Sequence, residues 1–162
     1  MRQEEIQFIR NQGFTNVHPD HRLYVALMFQ PRTVAGLVAL AIVLQSAWLF
    51  LAISAVLWWG ALFPASNLFD AAYNRFIAYT CGLTRVPRAP APRRFAQATA
   101  ATVALIIGAA LLLGAAVTAW VFQGLFAIAT MSVVLGRVCA PANLYLHLTG
   151  TAGPAPSVHG HA

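Results

Sequence analysis

Polar and apolar positions along this chain fall into long blocks instead of alternating. No Asp, Glu, Lys or Arg occurs over residues 33–69, a run of 37 positions, nor over residues 95–136, a run of 42. A charge at the centre of a membrane helix costs about 2.5–3.5 kcal/mol on insertion scales, and both runs avoid that cost throughout. As one helix the first run would reach about 55 Å at 1.5 Å per residue, against a hydrocarbon core of roughly 30 Å. A break at Gln45-Ser46 resolves the mismatch. It predicts helices over about 30–44, with an earlier start through LYVALMF left open, and 47–63, with Pro31 in the first turn of one and Pro64 ending the other. The second run predicts helices over about 94–113 and 119–136 around a small-residue turn at 114–118. In the third of these helices Ala100, Ala104 and Gly108 recur at every fourth position, a spacing that lets helix backbones approach closely in lipid.

Outside these runs the pattern changes. Residues 1–24 read as an amphipathic, solvated or interfacial N-terminal segment, with Ile6 and Ile9 on one face, Glu4 and Glu5 in the first turn and Gly13 as a stop. Residues 64–93 read as an Arg-rich loop with an extended strap at VPRAPAP, and residues 149–162 as a flexible tail. The two halves resemble each other. MFQPR, with Gln30, precedes the first hairpin and RFAQ, with Gln97, the second. PASNLF, with Asn67, closes the first and APANLY, with Asn143, the second. The Gln-to-Asn spacings differ, at 37 and 46 positions. The expectation is an all-α integral membrane four-helix bundle, residues 25–148, made of two similar transmembrane hairpins.

Composition sharpens this picture. The chain is 59% hydrophobic and 9% charged, where soluble domains carry about a quarter charged residues. The net charge of +6 comes from ten basic residues, all of them Arg. Their clustering beside the apolar runs is that of membrane flanks, not of a nucleic-acid surface. Arg75, Arg85, Arg88, Arg93 and Arg94 lie between the hairpins, and the hairpin turns carry no charge. Both termini and the central loop are therefore expected on the cytoplasmic side of a bacterial inner membrane, with lipid as the surroundings. The N-terminal residues lack the apolar core of a cleavable signal.

Candidate chemistry is sparse. GRVCAPANLYLHL, residues 136–148, gathers Arg137, Cys139, Asn143, Tyr145 and His147 where the last apolar run ends. Cys139, Asn143 and His147 share one helical face if Pro141 starts a helix. Cys139 is the candidate thiol; Arg137 would lower its pKa and apolar burial would raise it, and an inert thiol is the expectation. Cys81 is assigned to the loop. Two candidate ligands and an amide make a poor metal site, even with His159 and His161 from the tail, so neither metal nor other cofactor is expected. The cluster reads as a helix exit, with Tyr145 at interfacial depth and Arg137 and Arg94 reaching for headgroups. Trp48, Trp58, Trp59 and Trp120 fit interfacial anchors. No paired carboxylates, nucleophile elbow or phosphate loop is present, and catalysis is not expected.

RFAQ opening a hairpin, SAWLFLA after the first turn and a closing helix that ends near CAPANLY resemble a bacterial integral membrane family, the domain of unknown function 4395, over about residues 29–148. That family's closing motif is Cys-x-x-Cys-x-x-Tyr. Aligned on it, Cys139 and Tyr145 match, and Ala142 stands where the second cysteine would be. The resemblance implies four membrane helices and no particular reaction. Three functions follow as expectations. The first is a non-catalytic accessory or assembly subunit of a larger membrane complex, with a protein partner or an oligomer in the membrane. The second is membrane thiol or sulfur chemistry through Cys139 with a thioredoxin-like or sulfurtransferase partner. The third is an oligomeric small-solute carrier.

Overall fold

The computed structural model describes residues 2–15 and 18–150, apart from the side chain of Cys81. His159 and His161, with most of the expected tail, lie outside the described residues, as does the Cys81 thiol. Among the described residues the chain is all-helical. Three helices are long and apolar enough to cross a membrane: α2 (His21–Val43), α6 (Ala91–Leu112) and α7 (Ala116–Val134). A further apolar helix, α3 (Ala47–Leu62), has 16 residues, about 24 Å at 1.5 Å each.

α2 begins well before Gln30. Asp20 caps it by accepting from the Leu23 amide at 2.5 Å, and the apolar LYVALMF segment carries it onward. Pro31 therefore sits inside the helix instead of in its first turn, and the hydrogen bond it would have made to Leu27 is missing. The chain turns at residues 44–46, where Gln45 takes a left-handed φ of 45° and the Ser46 hydroxyl accepts from the Leu49 amide to start α3. A matching turn at residues 113–115 has Gly114 at φ 70°.

α3 packs along α6 in the most extensive contact of the fold; α6 also packs on α7, α7 on α2, and α2 on α3. Gly108 is what lets α3 and α6 come so close. A Cβ there would stand 2.8 Å from the Leu51 side chain and 3.2 Å from the Ala47 carbonyl. The core between these helices includes Val38, Phe50, Ile53, Leu57, Ala101, Ala104, Ile107 and Phe126.

The segment expected as a loop over 64–93 is largely structured. α4 (Leu68–Ala72) runs into a π-helical stretch (Tyr73–Ala78) and a last turn, α5 (Tyr79–Cys81). The strap that follows is pinned by Asn74, whose side chain donates to the Val86 carbonyl at 3.1 Å and accepts from its amide at 2.8 Å. α6 then opens at Ala91, with Pro92 in its first turn, so Arg93 belongs to the helix with Arg94 and not to the loop.

The N-terminal helix α1 (Gln3–Asn11) is not solvated on all sides. Phe8 and Ile9 are fully buried against Leu23, Tyr24, Leu27 and Met28 of α2, in a second core that also takes in Phe14, Tyr73 and Val86. Its register is held by the Glu5 carboxylate, which accepts from the Arg2 amide and faces His21 at 3.5 Å. The last helix among the described residues is α8 (Ala140–Leu148).

Candidate functional site

Between the two cores lies a polar cluster that α2, α4 and α6 build together. Gln30 projects from the middle of α2, Asp70 from α4, and Arg93 and Gln97 from the same face of α6, four residues apart. All four are more than nine-tenths buried. One terminal nitrogen of Arg93, Nη2, donates to Asp70 Oδ1 at 2.7 Å and to Gln30 Oε1 at 2.8 Å. Gln97 Nε2 donates to the same Gln30 oxygen at 2.9 Å. Gln30 and Gln97, the paired glutamines of the two half-sequences, thus meet directly.

The cluster leaves polar capacity over. Arg93 Nη1, Asp70 Oδ2, Gln97 Oε1 and Asn67 Nδ2 are buried with no hydrogen-bond partner among the described residues. Asn67 caps α4 by accepting from the Phe69 amide at 3.1 Å. Its Nδ2 and Gln97 Oε1 both stand within about 3.2 Å of the place where Gly60 would carry a Cβ, so a side chain at residue 60 would crowd both. Burial pushes the Asp70 carboxyl above its usual range, and Arg93 offsets this only in part. Arg94 turns the other way and donates from Nε to the Ala61 carbonyl at 2.7 Å, tying off the end of α3.

Beside Arg93 opens a cavity of about 120 Å³ between α2, α6 and α7. Its walls include Leu27, Val34, Leu57, Ala100, Phe126 and Val133, and Arg93, Gln30, Gln97 and Cys139 reach it. Cys139 precedes α8 as its N-cap residue and is buried. Burial pushes its thiol above the ordinary value, while the Ala142 amide, the Gln12 side chain and the Arg93 charge pull the other way with less effect.

The helix-exit residues separate. Arg137 takes a left-handed φ of 56°, pairs with Glu4 and lies 5.7 Å over the Tyr24 ring. The charge that acts on Cys139 is that of Arg93, on another helix, and not that of its sequence neighbour. Asn143 lies inside α8 and does not repeat the capping role of Asn67. Tyr145 packs against Phe95 with ring centroids 5.5 Å apart. His147 is exposed in the last turn of α8, away from buried Cys139. Among the described residues no group of three His, Cys, Asp or Glu is placed to hold a metal ion.

Arg93 and Asp70, which carry the site's charge, were not among the residues singled out from the sequence. Two signals pointed to them. Asp70 is the only acidic residue after Asp20, and Arg93 precedes Gln97 by four positions on what proves to be one helix.

Among the described residues the chain is all-helical, with three apolar helices long enough to cross a membrane and a buried polar cluster between α2, α4 and α6. These features are consistent with the class of small helical membrane proteins. Residues 26–149 match the family model described as Domain of unknown function (DUF4395), and the chain belongs to that family. No curated protein and no solved structure matches it.

Proposed function

We propose that this protein is a non-catalytic accessory or assembly subunit of a larger complex in a bacterial inner membrane. On this reading α2, α3, α6 and α7 form a four-helix transmembrane bundle of two similar hairpins, with both termini and the α4–α5 segment cytoplasmic. Two features support the topology. The turns at 44–46 and 113–115 carry no charge while the arginines gather at the other end, and Trp48 and Trp59 stand exposed near the two ends of short α3 as interfacial anchors would.

The observation that carries the accessory role is the outer side of α7. Only 17% of its most apolar window is buried, against 44% for α2 and 33% for α6. Along it Val117, Val121, Gly124, Ile128, Met131 and Leu135 are all exposed, alternating in steps of four and three, the rhythm of a helix–helix seam. Gly124 has nothing within 4 Å of its would-be Cβ. A mid-helix glycine costs about 1 kcal/mol relative to alanine, and nothing among the described residues uses the space it leaves. A neighbouring membrane helix would use it.

Purification from native membranes in mild detergent tests the reading. The wild type should migrate on native gels in a complex with another membrane protein, and Gly124→Ile should release it as a folded monomer. A lone wild-type monomer refutes the accessory role. One observation favours a second reading, thiol chemistry with a soluble partner: Cys139 reaches a cavity that also holds a guanidinium. Burial works against it by keeping the thiol protonated, and an unchanged phenotype for Cys139→Ser would end it.

A further inference from the structure

The cavity beside Arg93 is too large for one trapped water and too apolar for many. A single water needs about 10–15 Å³ of such volume and two to four polar partners, and this space is about 120 Å³. Its polar equipment is limited, and most of it is committed. Gln30 Oε1 already accepts from Arg93 and Gln97. The Thr130 hydroxyl on the α7 wall donates back to the Phe126 and Ala127 carbonyls of its own helix. Arg93 Nη1 is left over as a donor and Gln97 Oε1 as an acceptor, on residues only 4% and 5% exposed. A guest matched to the charged donor has an apolar body and one strong acceptor.

The charge balance narrows the acceptor. Arg93 is already paired with Asp70, so the wall is close to neutral, and a guest with a full negative charge would bring an unbalanced charge into an apolar surround. A carbonyl oxygen meets the free Nη1 hydrogen without that cost. We propose that the cavity is a binding site for a single-chain amphiphile, its acyl carbonyl oxygen accepting from Arg93 Nη1 and its hydrocarbon chain lying along Val34, Phe126 and Val133. An esterified lipid chain and a fatty acid bound in its protonated form share this chemistry.

Three photoreactive probes, each with a diazirine on a long alkyl chain, separate these sources from plain lipid contact: a methyl ester, the free acid and the alkane without a head. The full-length protein in nanodiscs is irradiated with each, and the labelled residues are mapped by mass spectrometry. Either or both carbonyl probes should label cavity residues such as Val34 and Val133 well above exposed Leu105 and Ile128. Preference for the ester identifies an esterified chain. Preference for the acid that grows as pH falls identifies a protonated fatty acid, and preference for the acid that grows as pH rises overturns the neutral-acceptor argument. Ala100→Phe, which puts a ring into the space while keeping Arg93 itself unchanged, should cut cavity labelling at least fivefold with thermal stability retained. The neutral double variant Arg93→Met/Asp70→Asn should cut carbonyl-probe labelling roughly tenfold, the size of a lost hydrogen bond to a charged donor, and leave alkane labelling unchanged. Equal labelling by the alkane, or cavity labelling indifferent to Ala100→Phe, overturns the proposal.

Discussion

Replacing Arg93 by Met tests whether the polar cluster is a single electrostatic unit. Met keeps much of the volume and removes the guanidinium, so Asp70 loses its cation and Gln30 one of its two donors. The pair is well buried, with side-chain exposures of 5% and 12%. Removing one partner of such a pair costs about 3–5 kcal/mol, mostly through the charge left behind. For a chain of this size that corresponds to a fall in Tm of roughly 6–20 °C. The pH dependence follows from Asp70. Its carboxyl is already held above the usual 3.8 by burial, with Arg93 opposing, and loss of Arg93 raises it further. A carboxyl whose folded pKa is raised contributes stability that is complete below the unfolded value and is lost as pH rises through the folded pKa. The Arg93→Met defect should therefore be largest at neutral pH and shrink as pH falls, disappearing only below 3.8, where Asp70 is protonated in both states. Arg93→Met/Asp70→Asn should recover most of the loss at pH 7. Thermal unfolding in nanodiscs at several pH values measures all three proteins. A loss under about 1 kcal/mol, a defect independent of pH, or no rescue by Asp70→Asn would refute the reasoning.

The two mid-helix glycines should respond in opposite directions. Gly108→Ala forces its Cβ into Leu51 and towards the Ala47 carbonyl and should destabilise by about 1–3 kcal/mol, whereas Gly124→Ala meets nothing and should leave the isolated protein's Tm level or raised. Alkylation of Cys139 at pH 7 should run well below the rate of an exposed thiol and climb with pH beyond the ordinary thiol range, because burial holds the thiol protonated; rapid labelling at neutral pH would contradict this. Asn74→Ala removes both hydrogen bonds to Val86, so limited trypsinolysis after Arg85 and Arg88 should accelerate with the apolar helices intact.

The long apolar helices were legible because insertion cost acts on every residue of a span, and two charge-free runs carry that pattern. Helix starts were harder to see. Pro31 read as a first-turn residue because isolated propensity favours that position, yet Asp20 and the apolar segment after it carry α2 across the proline. The 64–93 segment read as a loop for its arginines and prolines. Its helical part depends on tertiary packing: Tyr73 sits against Phe29 with ring centroids 5.4 Å apart, and Asn74 holds Val86.

The site was half legible. Gln30, Asn67 and Gln97 stood out as repeated positions, and Gln30 and Gln97 do share an oxygen–nitrogen contact. Arg93 was hidden because an arginine beside a span ordinarily reaches for headgroups, as its neighbour Arg94 was expected to do. Only the fold reveals that α4 brings Asp70 back to meet it, 23 positions away in sequence. Cys139 gained a second influence in the same way, since the cation near it comes from α6 and not from Arg137.

Site-specific photocrosslinking in living cells tests the accessory role most directly. A benzophenone amino acid placed at Ile128, in the exposed seam of α7, is compared with one at Leu105, an exposed position on α6. The account predicts a discrete protein adduct from Ile128 that disappears in the Gly124→Ile background, and none from Leu105. Adducts to lipid alone at both positions, with no protein captured from α7, would contradict it.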